Sequence, residues 1–195
     1  MKKIFMMAVM AVAALSANAQ VWVGGEVGFG STHFKSESTT KDFFFKPEVG
    51  YSLSDKFDVA IALGYSYASD KEFKAGSKKV KNYSNANTWE INPYVRYKFV
   101  KAGNFFAFVD GGLFYETTHV RGEAKNWNSF GVSFVPGIAY SVSDKVTLVS
   151  KLGEGLYYSH DWKNYDEKQA YDNYHANSIG FKLLNSISFG AYYNF

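Results

Sequence analysis

The chain has 195 residues, of which 21 are basic and 18 acidic, and its formal net charge at pH 7 is +3. This small excess gives no indication of nucleic acid as a partner. The sequence contains no cysteine, which excludes both a disulfide framework and a lipid-modified N-terminal cysteine. We therefore expect packing and hydrogen bonds alone to stabilise the fold, with aromatic residues at 19% of the chain as a major contributor.

The N-terminal segment has the features of a secretory signal peptide. Two lysines precede an apolar run of 12 residues from Ile4 to Leu15, and Ala17 and Ala19 form the small-residue pattern of a cleavage site. A helix that spans a bilayer needs roughly 20 residues, so this run is too short to be a membrane anchor. We expect residues 1–19 to be removed and residues 20–195 to form one domain.

Most of the mature sequence alternates between apolar and mixed side chains, which is the period of a β-strand. The alternation is clearest from Ile179 to Phe195, where every second residue except Asn185 is apolar. Applied along the chain, the same pattern predicts eight strands: Val21–Phe29, Phe43–Leu53, Phe57–Tyr67, Trp89–Phe99, Phe105–Tyr115, Phe130–Val142, Val146–Tyr158 and Ile179–Phe195.

The predicted connections alternate in length. The gaps after the second, fourth and sixth strands are short, at Ser54–Lys56, Lys101–Asn104 and Ser143–Lys145, whereas about 13, 20, 14 and 20 residues follow the first, third, fifth and seventh. All short turns therefore lie at one end of the predicted sheet and all long loops at the other. This arrangement is typical of an up-and-down antiparallel barrel.

A ten-residue segment occurs twice, as PEVGYSLSDK from Pro47 and as PGIAYSVSDK from Pro136, and a looser copy, PYVRYKF, begins at Pro93. Each copy ends a strand that enters a short turn. Proline removes one hydrogen bond of a β-ladder, so we expect a local bulge at each proline. The repeat also places an aromatic ring where a strand meets the membrane interface, and these rings are Tyr51, Tyr97 and Tyr140.

Charged side chains lie almost entirely on the mixed faces of the predicted strands. A soluble barrel of the lipocalin type would turn these faces outwards, whereas an outer-membrane barrel turns them inwards. Balanced charges among small residues suit a narrow lumen, so we predict a transmembrane barrel and keep the lipocalin-like carrier as an alternative. Five of the charges fall at a similar height, and we expect them to form a lumen network: Glu26, Glu48, Arg96, Asp110 and Lys151.

The signal peptide, the hairpin repeat and the ending SFGAYYNF together resemble the small eight-stranded outer-membrane barrels of the OmpA and OmpX kind, in the version common among Bacteroidetes-type bacteria. This resemblance covers the whole mature chain. It implies a periplasmic N-terminus and periplasmic short turns, extracellular long loops, and contact with outer-membrane lipid and lipopolysaccharide. It also implies that the barrel-assembly machinery recognises the C-terminal Phe195.

The seventh predicted strand departs from the alternation. Glu154 would face lipid if Leu148 and Leu152 do, and a carboxylate in mid-bilayer costs on the order of a few kcal/mol. We expect a bulge at Gly153 or Gly155 that turns Glu154 inwards.

An eight-stranded barrel has an interior just wide enough for its own side chains, so we do not expect a diffusive porin. The lumen charges are expected to form a structural plug, with a narrow ion path as the alternative. We therefore expect the function to lie in the long loops, as a structural or adhesive role that includes binding of a surface glycan or protein. The candidate residues are the lysines Lys78, Lys79 and Lys81, suited to lipopolysaccharide phosphates, and the rings Trp162, Tyr165, Tyr171 and Tyr174, suited to sugars.

All four histidines, His33, His119, His160 and His175, fall in the predicted long loops without the spacing of metal ligands, so we expect no metal site and no cofactor. Some eight-stranded barrels are lipid A-modifying enzymes that use Ser, His and an acid, and Ser159, His160 and Glu154 are close in sequence. Adjacent strand residues point to opposite faces, so Ser159 and His160 cannot form a hydrogen bond without a bend. We expect no catalytic residue, and the lipid A enzyme stays an alternative.

Overall fold

The computed structural model describes residues 20–33, 39–71, 73–75, 78–80, 84–122, 125–163 and 174–195. The predicted signal peptide at residues 1–19, together with Lys81, Tyr165 and Tyr171, lies outside the described residues. No helix in the described part of the chain is long and apolar enough to span a bilayer.

Ten strands make up the described structure, and eight of them close into one antiparallel barrel in the order β1-β10-β9-β8-β7-β6-β3-β2. The short strands β4 and β5 form a separate hairpin between β3 and β6. The predicted all-β, eight-stranded antiparallel up-and-down barrel is thus confirmed. The strands are β1 (Val21–His33), β2 (Thr39–Ser52), β3 (Phe57–Lys71), β4 (Phe73–Ala75), β5 (Lys78–Val80), β6 (Ser84–Ala102), β7 (Phe105–Val120), β8 (Trp127–Ser141), β9 (Val146–Lys163) and β10 (Tyr174–Asn194).

The barrel strands extend further towards the long-loop end than the apolar alternation predicts. Only residues 34–38 separate β1 from β2, where the sequence predicted a loop of about 13 residues. Backbone pairing does not need apolar side chains, so polar residues continue the ladders after the alternation ends. The placement of the histidines in loops was consequently wrong, because each of them lies in a strand: His33 in β1, His119 in β7, His160 in β9 and His175 in β10.

Apolar side chains face outwards and charged side chains face inwards. Phe181 and Phe189 are 67% and 65% exposed, whereas Arg96 and Glu48 are 1% and 4% exposed. This polarity is the reverse of that in a soluble barrel and is the arrangement that places apolar residues against lipid. The lipocalin-like alternative therefore does not fit this barrel.

Each of seven inward-pointing aromatic rings lies over a glycine that is its register partner in the neighbouring strand. A Cβ at Gly137 would lie 2.3 Å from Cζ of Phe108, and a Cβ at Gly50 would lie 2.2 Å from Cζ2 of Trp22. The missing side chains leave room for the rings to pack against the wall of a narrow lumen. The pairs are Trp22 with Gly50, Phe44 with Gly28, Tyr94 with Gly112, Phe108 with Gly137, Phe114 with Gly131, Tyr157 with Gly180, and Tyr192 with Gly24.

The predicted bulges at the three prolines are only partly found. The ladder from β2 to β3 is interrupted at Pro47, and the ladder from β6 to β7 is interrupted at Pro93, but neither register changes there. Proline lacks a hydrogen-bond donor on one edge only, so the strand continues without an extra residue. The register does shift beside Pro136, and the additional residues belong to β9 rather than to the proline's own strand.

The predicted bulge in β9 is confirmed. Lys182 pairs with Gly155 and Leu183 with Gly153, so the ladder omits Glu154. Gly153 and Gly155 have φ angles of 90° and 68°, in a region that glycine adopts without steric cost. The carboxylate of Glu154 lies 2.9 Å from Nζ of Lys182 and borders the barrel interior.

We expect the ring and glycine pairs to be required for stability. In Gly137→Ala the new methyl group would overlap the buried ring of Phe108, and overpacking of this kind costs about 1–3 kcal/mol. The matched control is Gly111→Ala, where a Cβ would meet only the exposed ring of Phe134, at 3.2 Å. Urea unfolding of the refolded barrel in detergent should give a lower midpoint for Gly137→Ala than for the control. Equal midpoints would contradict the packing role.

Candidate functional site

The five residues predicted for the lumen network come together in one buried cluster. Arg96 donates from Nε to Oδ1 of Asp110 at 2.7 Å and from Nη2 to Oδ2 at 2.9 Å. Nζ of Lys151 lies 2.5 Å from Oε1 of Glu26 and 3.2 Å from both Oε1 of Glu48 and Oδ2 of Asp110. The cluster joins β1, β2, β6, β7 and β9, and we call these five residues the plug.

Aromatic residues that the sequence analysis did not select surround the plug. The hydroxyl groups of Tyr94 and Tyr192 both donate to Oε2 of Glu48, at 2.6 and 2.9 Å. The guanidinium carbon of Arg96 lies 3.9 Å from the ring centre of Phe108, a distance at which a cation is attracted to the face of an aromatic ring. All three rings occupy the same alternating positions as the plug charges, and this alternation was the signal that could have identified them.

The plug contains three acids and two bases, and a buried charge is costly unless it is paired and hydrogen-bonded. Besides its contact with Lys151, Glu26 accepts a hydrogen bond at Oε2 from Oγ of Ser188, at 2.6 Å. Asp110 meets both bases, so the carboxylates and the cations form one connected network. Such a network holds its side chains in place across the lumen.

The plug separates two cavities. A cavity of about 460 Å³ lies on the short-turn side and is bordered by Arg96 and Tyr192. A cavity of about 840 Å³ lies on the long-loop side, with Asp110 and Lys151 at its floor and Trp127 towards its mouth, and we call it the vestibule. The expectation that side chains fill the lumen is therefore correct at mid-height and wrong on both sides of the plug, where the two cavities lie.

Charged and hydroxyl groups outside the predicted set line the vestibule. Lys46 and Glu90 form an ion pair at 2.6 Å, and Oδ2 of Asp161 accepts hydrogen bonds from Oγ of Ser159 at 3.2 Å and from Oγ of Ser178 at 3.4 Å. Ser159, Asp161 and Ser178 lie in strand segments that were predicted to be loops. Lys46 and Glu90 lie on the mixed faces that were predicted to point into the lumen, but they were not selected as members of the network.

The loop residues predicted to bind ligands do not form one group. Trp162 packs against His160 and Tyr115, with ring centres 5.8 and 6.2 Å apart. Tyr174 instead packs against Trp127, at 5.1 Å, and borders the vestibule. Lys78 and Lys79 lie in β5.

Ser159 and His160 point to opposite faces of β9, as the alternation predicted. Ser159 borders the vestibule and bonds to Asp161, whereas Nδ1 of His160 lies 2.8 Å from Oδ1 of Asn177. In this geometry the imidazole of His160 is not placed to take a proton from the hydroxyl of Ser159. No group of three or more metal-ligating side chains occurs among the residues that the structure describes.

The sequence matches the model of the family described as outer membrane protein beta-barrel domain over residues 4–195. The fold is similar to the crystal structure of Neisserial surface protein A, with 16% identity, 90% of this chain and 97% of that chain covered, and a TM-score of 0.50. It is also similar to the outer membrane protein OprG from Pseudomonas aeruginosa, with 12% identity, coverage of 90% and 94%, and a TM-score of 0.54. At these identities the similarity concerns the fold. No curated protein matches the sequence significantly.

We expect Arg96→Met to lower the unfolding midpoint without changing ion conductance. The substitution leaves Asp110 without its bidentate partner, and breaking a buried ion pair costs about 3–5 kcal/mol. The matched control is Lys182→Met, which removes a half-exposed pair with Glu154 and should cost about 0–1 kcal/mol. Urea titration and planar-bilayer recording of each variant supply the two measurements. A large rise in conductance for Arg96→Met would identify the plug as an ion gate instead.

Proposed function

Because the chain belongs to the outer-membrane β-barrel protein family, we propose that it is a plugged barrel of the cell envelope whose role, structural or adhesive, is exercised at its long-loop end. The observation that carries this proposal is the buried plug. The plug closes the lumen at mid-height, so we propose that the protein acts through its surface rather than by transport through the barrel.

The arrangement of the cavities supports this reading over a diffusive pore. The vestibule and the cavity on the short-turn side have no lining residue in common. A solute crossing the barrel would have to displace Arg96 from Asp110 and Lys151 from its three carboxylates. Such displacement exposes unpaired buried charges, so passive permeation is strongly disfavoured.

The proposed orientation places the N-terminus and the short turns in the periplasm. The three connections on this side consist of residues 53–56, 103–104 and 142–145. Outer-membrane barrels have short periplasmic turns and longer extracellular loops. The hairpin of β4 and β5, the mouth of the vestibule and the long ends of β9 and β10 then lie outside the cell.

Two surface features at the long-loop end provide binding chemistry. The hairpin of β4 and β5 carries Lys74, Lys78 and Lys79, and ammonium groups near an anionic membrane surface bind phosphate. At the mouth of the vestibule, the rings of Trp127 and Tyr174 meet edge to face and offer apolar surface to a sugar. We propose lipopolysaccharide as the partner of the lysines and a surface glycan or protein as the partner of the rings.

Phe195 is proposed as the assembly signal. Its backbone N–H donates to the carbonyl of Val21 at 3.0 Å, so Phe195 extends the contact between β10 and β1. Its ring lies 5.1 Å from that of Tyr193. An aromatic residue at the contact between β10 and β1, where the barrel closes, is well placed for recognition by the barrel-assembly machinery while the strands are still open.

Single cysteines should report the orientation, because the native chain has none. We expect Arg121→Cys, at the long-loop end, to react with a membrane-impermeant maleimide on intact cells. The matched variant Ser143→Cys, in a short turn, should react only after the cells are lysed. Both positions are exposed, so accessibility of the side chain does not distinguish them. The reverse labelling pattern would contradict the proposed orientation.

Replacing Lys74, Lys78 and Lys79 with Gln should weaken lipopolysaccharide binding at least about tenfold, because each lysine near an anionic surface contributes about 1 kcal/mol. The matched control replaces Lys56, Lys101 and Lys145, which lie at the short-turn end, with Gln. Binding of purified lipopolysaccharide to the barrel in phosphatidylcholine nanodiscs is measured by surface plasmon resonance. An equal loss in both triple variants would show that net charge, rather than the hairpin, determines binding.

A further inference from the structure

Polar and aromatic side chains replace the apolar belt on the outward faces of β8, β9 and β10 near the long-loop end. On β8 the outward apolar residues run from Tyr140 to Phe130, and Asn128 is the next outward position. A strand tilted by about 40° rises roughly 2.5 Å per residue along the membrane normal, so this run covers about 25 Å, the height of the apolar band in outer-membrane barrels. The outward residues beyond Phe130 therefore lie at the level of the lipid headgroups.

Two histidines lie at this level and stack on one another. His160 of β9 is the register partner of Phe130 in β8 and of Asn177 in β10. Trp162 is the register partner of His175. The rings of His160 and His175 have centres 5.6 Å apart and planes 25° apart, and His160 also stacks on Trp162, at 5.8 Å and 24°. We call His160, Trp162, His175 and Asn177 the imidazole patch.

The hydrogen bonds of Asn177 determine which nitrogen of His160 carries a proton. Oδ1 of Asn177 accepts a hydrogen bond from the hydroxyl group of Tyr158 at 3.2 Å. The same oxygen lies 2.8 Å from Nδ1 of His160, so Nδ1 is the donor. In the neutral ring Nε2 is then the nitrogen without a proton, and protonation adds an N–H donor there. A protonated His160 therefore keeps its bond to Asn177 and gains a donor for a ligand.

The patch becomes an anion site when its imidazoles are protonated, a change that ordinary histidine side chains undergo between about pH 8 and about pH 5. The ring face of Trp162 attracts a cation stacked on it. Two imidazolium rings with centres 5.6 Å apart repel each other unless an anion neutralises both. None of the described outward residues around His160 is acidic; they are Asn128 and Phe130 of β8, Tyr158 and Trp162 of β9, and His175, Asn177 and Ile179 of β10.

A phosphate monoester has the charge that this patch requires. It carries about −1.5 to −2 charges at pH 7 and has three acceptor oxygens, so one group can neutralise two imidazolium rings. The phosphate of phosphatidylcholine is a diester with a single negative charge, which the choline ammonium group of the same lipid balances. The patch also continues directly into the lipid-facing belt, where Ile179 is 79% and Phe181 67% exposed. A lipid whose acyl chains cover this belt would hold its headgroup at the patch.

We propose that the imidazole patch binds a phosphate monoester in the headgroup of an outer-leaflet lipid when its imidazoles are protonated. The phosphate accepts hydrogen bonds from Nε2 of His160 and from the ring of His175, and the acyl chains extend past Tyr158 and Ile179. The assignment to the outer leaflet rests on the proposed orientation of the barrel. The hairpin lysines are a separate contact, and their charge does not change between pH 6 and pH 8.

The test uses the full barrel in phosphatidylcholine nanodiscs that contain phosphatidic acid with a diazirine near the ester end of one acyl chain. The matched probe is phosphatidylcholine with the same labelled chain. After illumination, peptide mass spectrometry maps the labelled residues. At about pH 6 we expect phosphatidic acid to label residues 156–160 and 177–181 at least about tenfold more strongly than the matched probe, because two charge-assisted contacts are specific to it.

The pH dependence identifies the groups that bind the phosphate. Labelling by phosphatidic acid should fall at least about tenfold between about pH 6 and about pH 8, because the imidazoles lose their charge over this range. Binding by lysines would instead strengthen, since the phosphate gains negative charge as the pH rises. Both leaflets of a nanodisc contain the probe, so the result does not depend on the orientation of the barrel in the cell.

The double variant His160→Gln with His175→Gln should lose the tenfold preference, whereas the matched variant His33→Gln with His119→Gln, elsewhere at the long-loop end, should keep it. His160→Lys with His175→Lys should label strongly at both pH values, because its charges are permanent in this range. Equal labelling by both probes at about pH 6, labelling that does not fall towards pH 8, or an equal loss in the two glutamine variants would overturn the proposal. Loss of labelling on addition of a chelator would also overturn it, by showing a metal ion between the imidazoles.

Discussion

Hydrocarbon cannot form hydrogen bonds with a polypeptide backbone, and the rest of this structure depends on that constraint. A sheet in a bilayer must close, and here eight strands close into a narrow cylinder. Once the sheet is closed, side chains alternate between lipid and lumen, so the charged residues at the middle of the strands face inwards, as Glu48, Arg96 and Asp110 do. The plug is a consequence, because carboxylates and cations confined to so narrow a lumen must neutralise one another. Glu26, Glu48 and Asp110 do so with Arg96 and Lys151.

Sequence reasoning was sufficient for the features that depend on alternation alone. The strands, their outward faces and the five plug residues follow from a period of two and from the relative heights that the short turns fix. It was also sufficient for Glu154, since a carboxylate out of phase between two glycines leaves few alternatives to a bulge. The pairing of rings with glycines could not be predicted, because it requires the register between strands. Once the register is known, Phe108 beside Gly137 follows directly.

Other features escaped prediction for a different physical reason. Polar hairpins beyond the membrane pair through their backbones, and hydrogen bonds between backbones leave no apolar pattern in the sequence. The segments holding His119 and Trp162 were accordingly assigned to loops, although they belong to β7 and β9. Pro47 and Pro93 were expected to cause bulges, yet a missing donor on one edge interrupts a ladder without adding a residue. The vestibule depends on which inward positions are small on several strands at once, and no single strand reveals it.

The plug closes the lumen only at mid-height, because its charges lie between the cavity on the short-turn side and the vestibule, and these two cavities have no lining residue in common. A ligand that enters the vestibule cannot leave through the plug without separating Arg96 from Asp110 and Lys151 from its carboxylates. Each separation would leave buried charges unpaired, which is costly. Exchange through the mouth at the long-loop end is therefore the chemistry that this architecture permits.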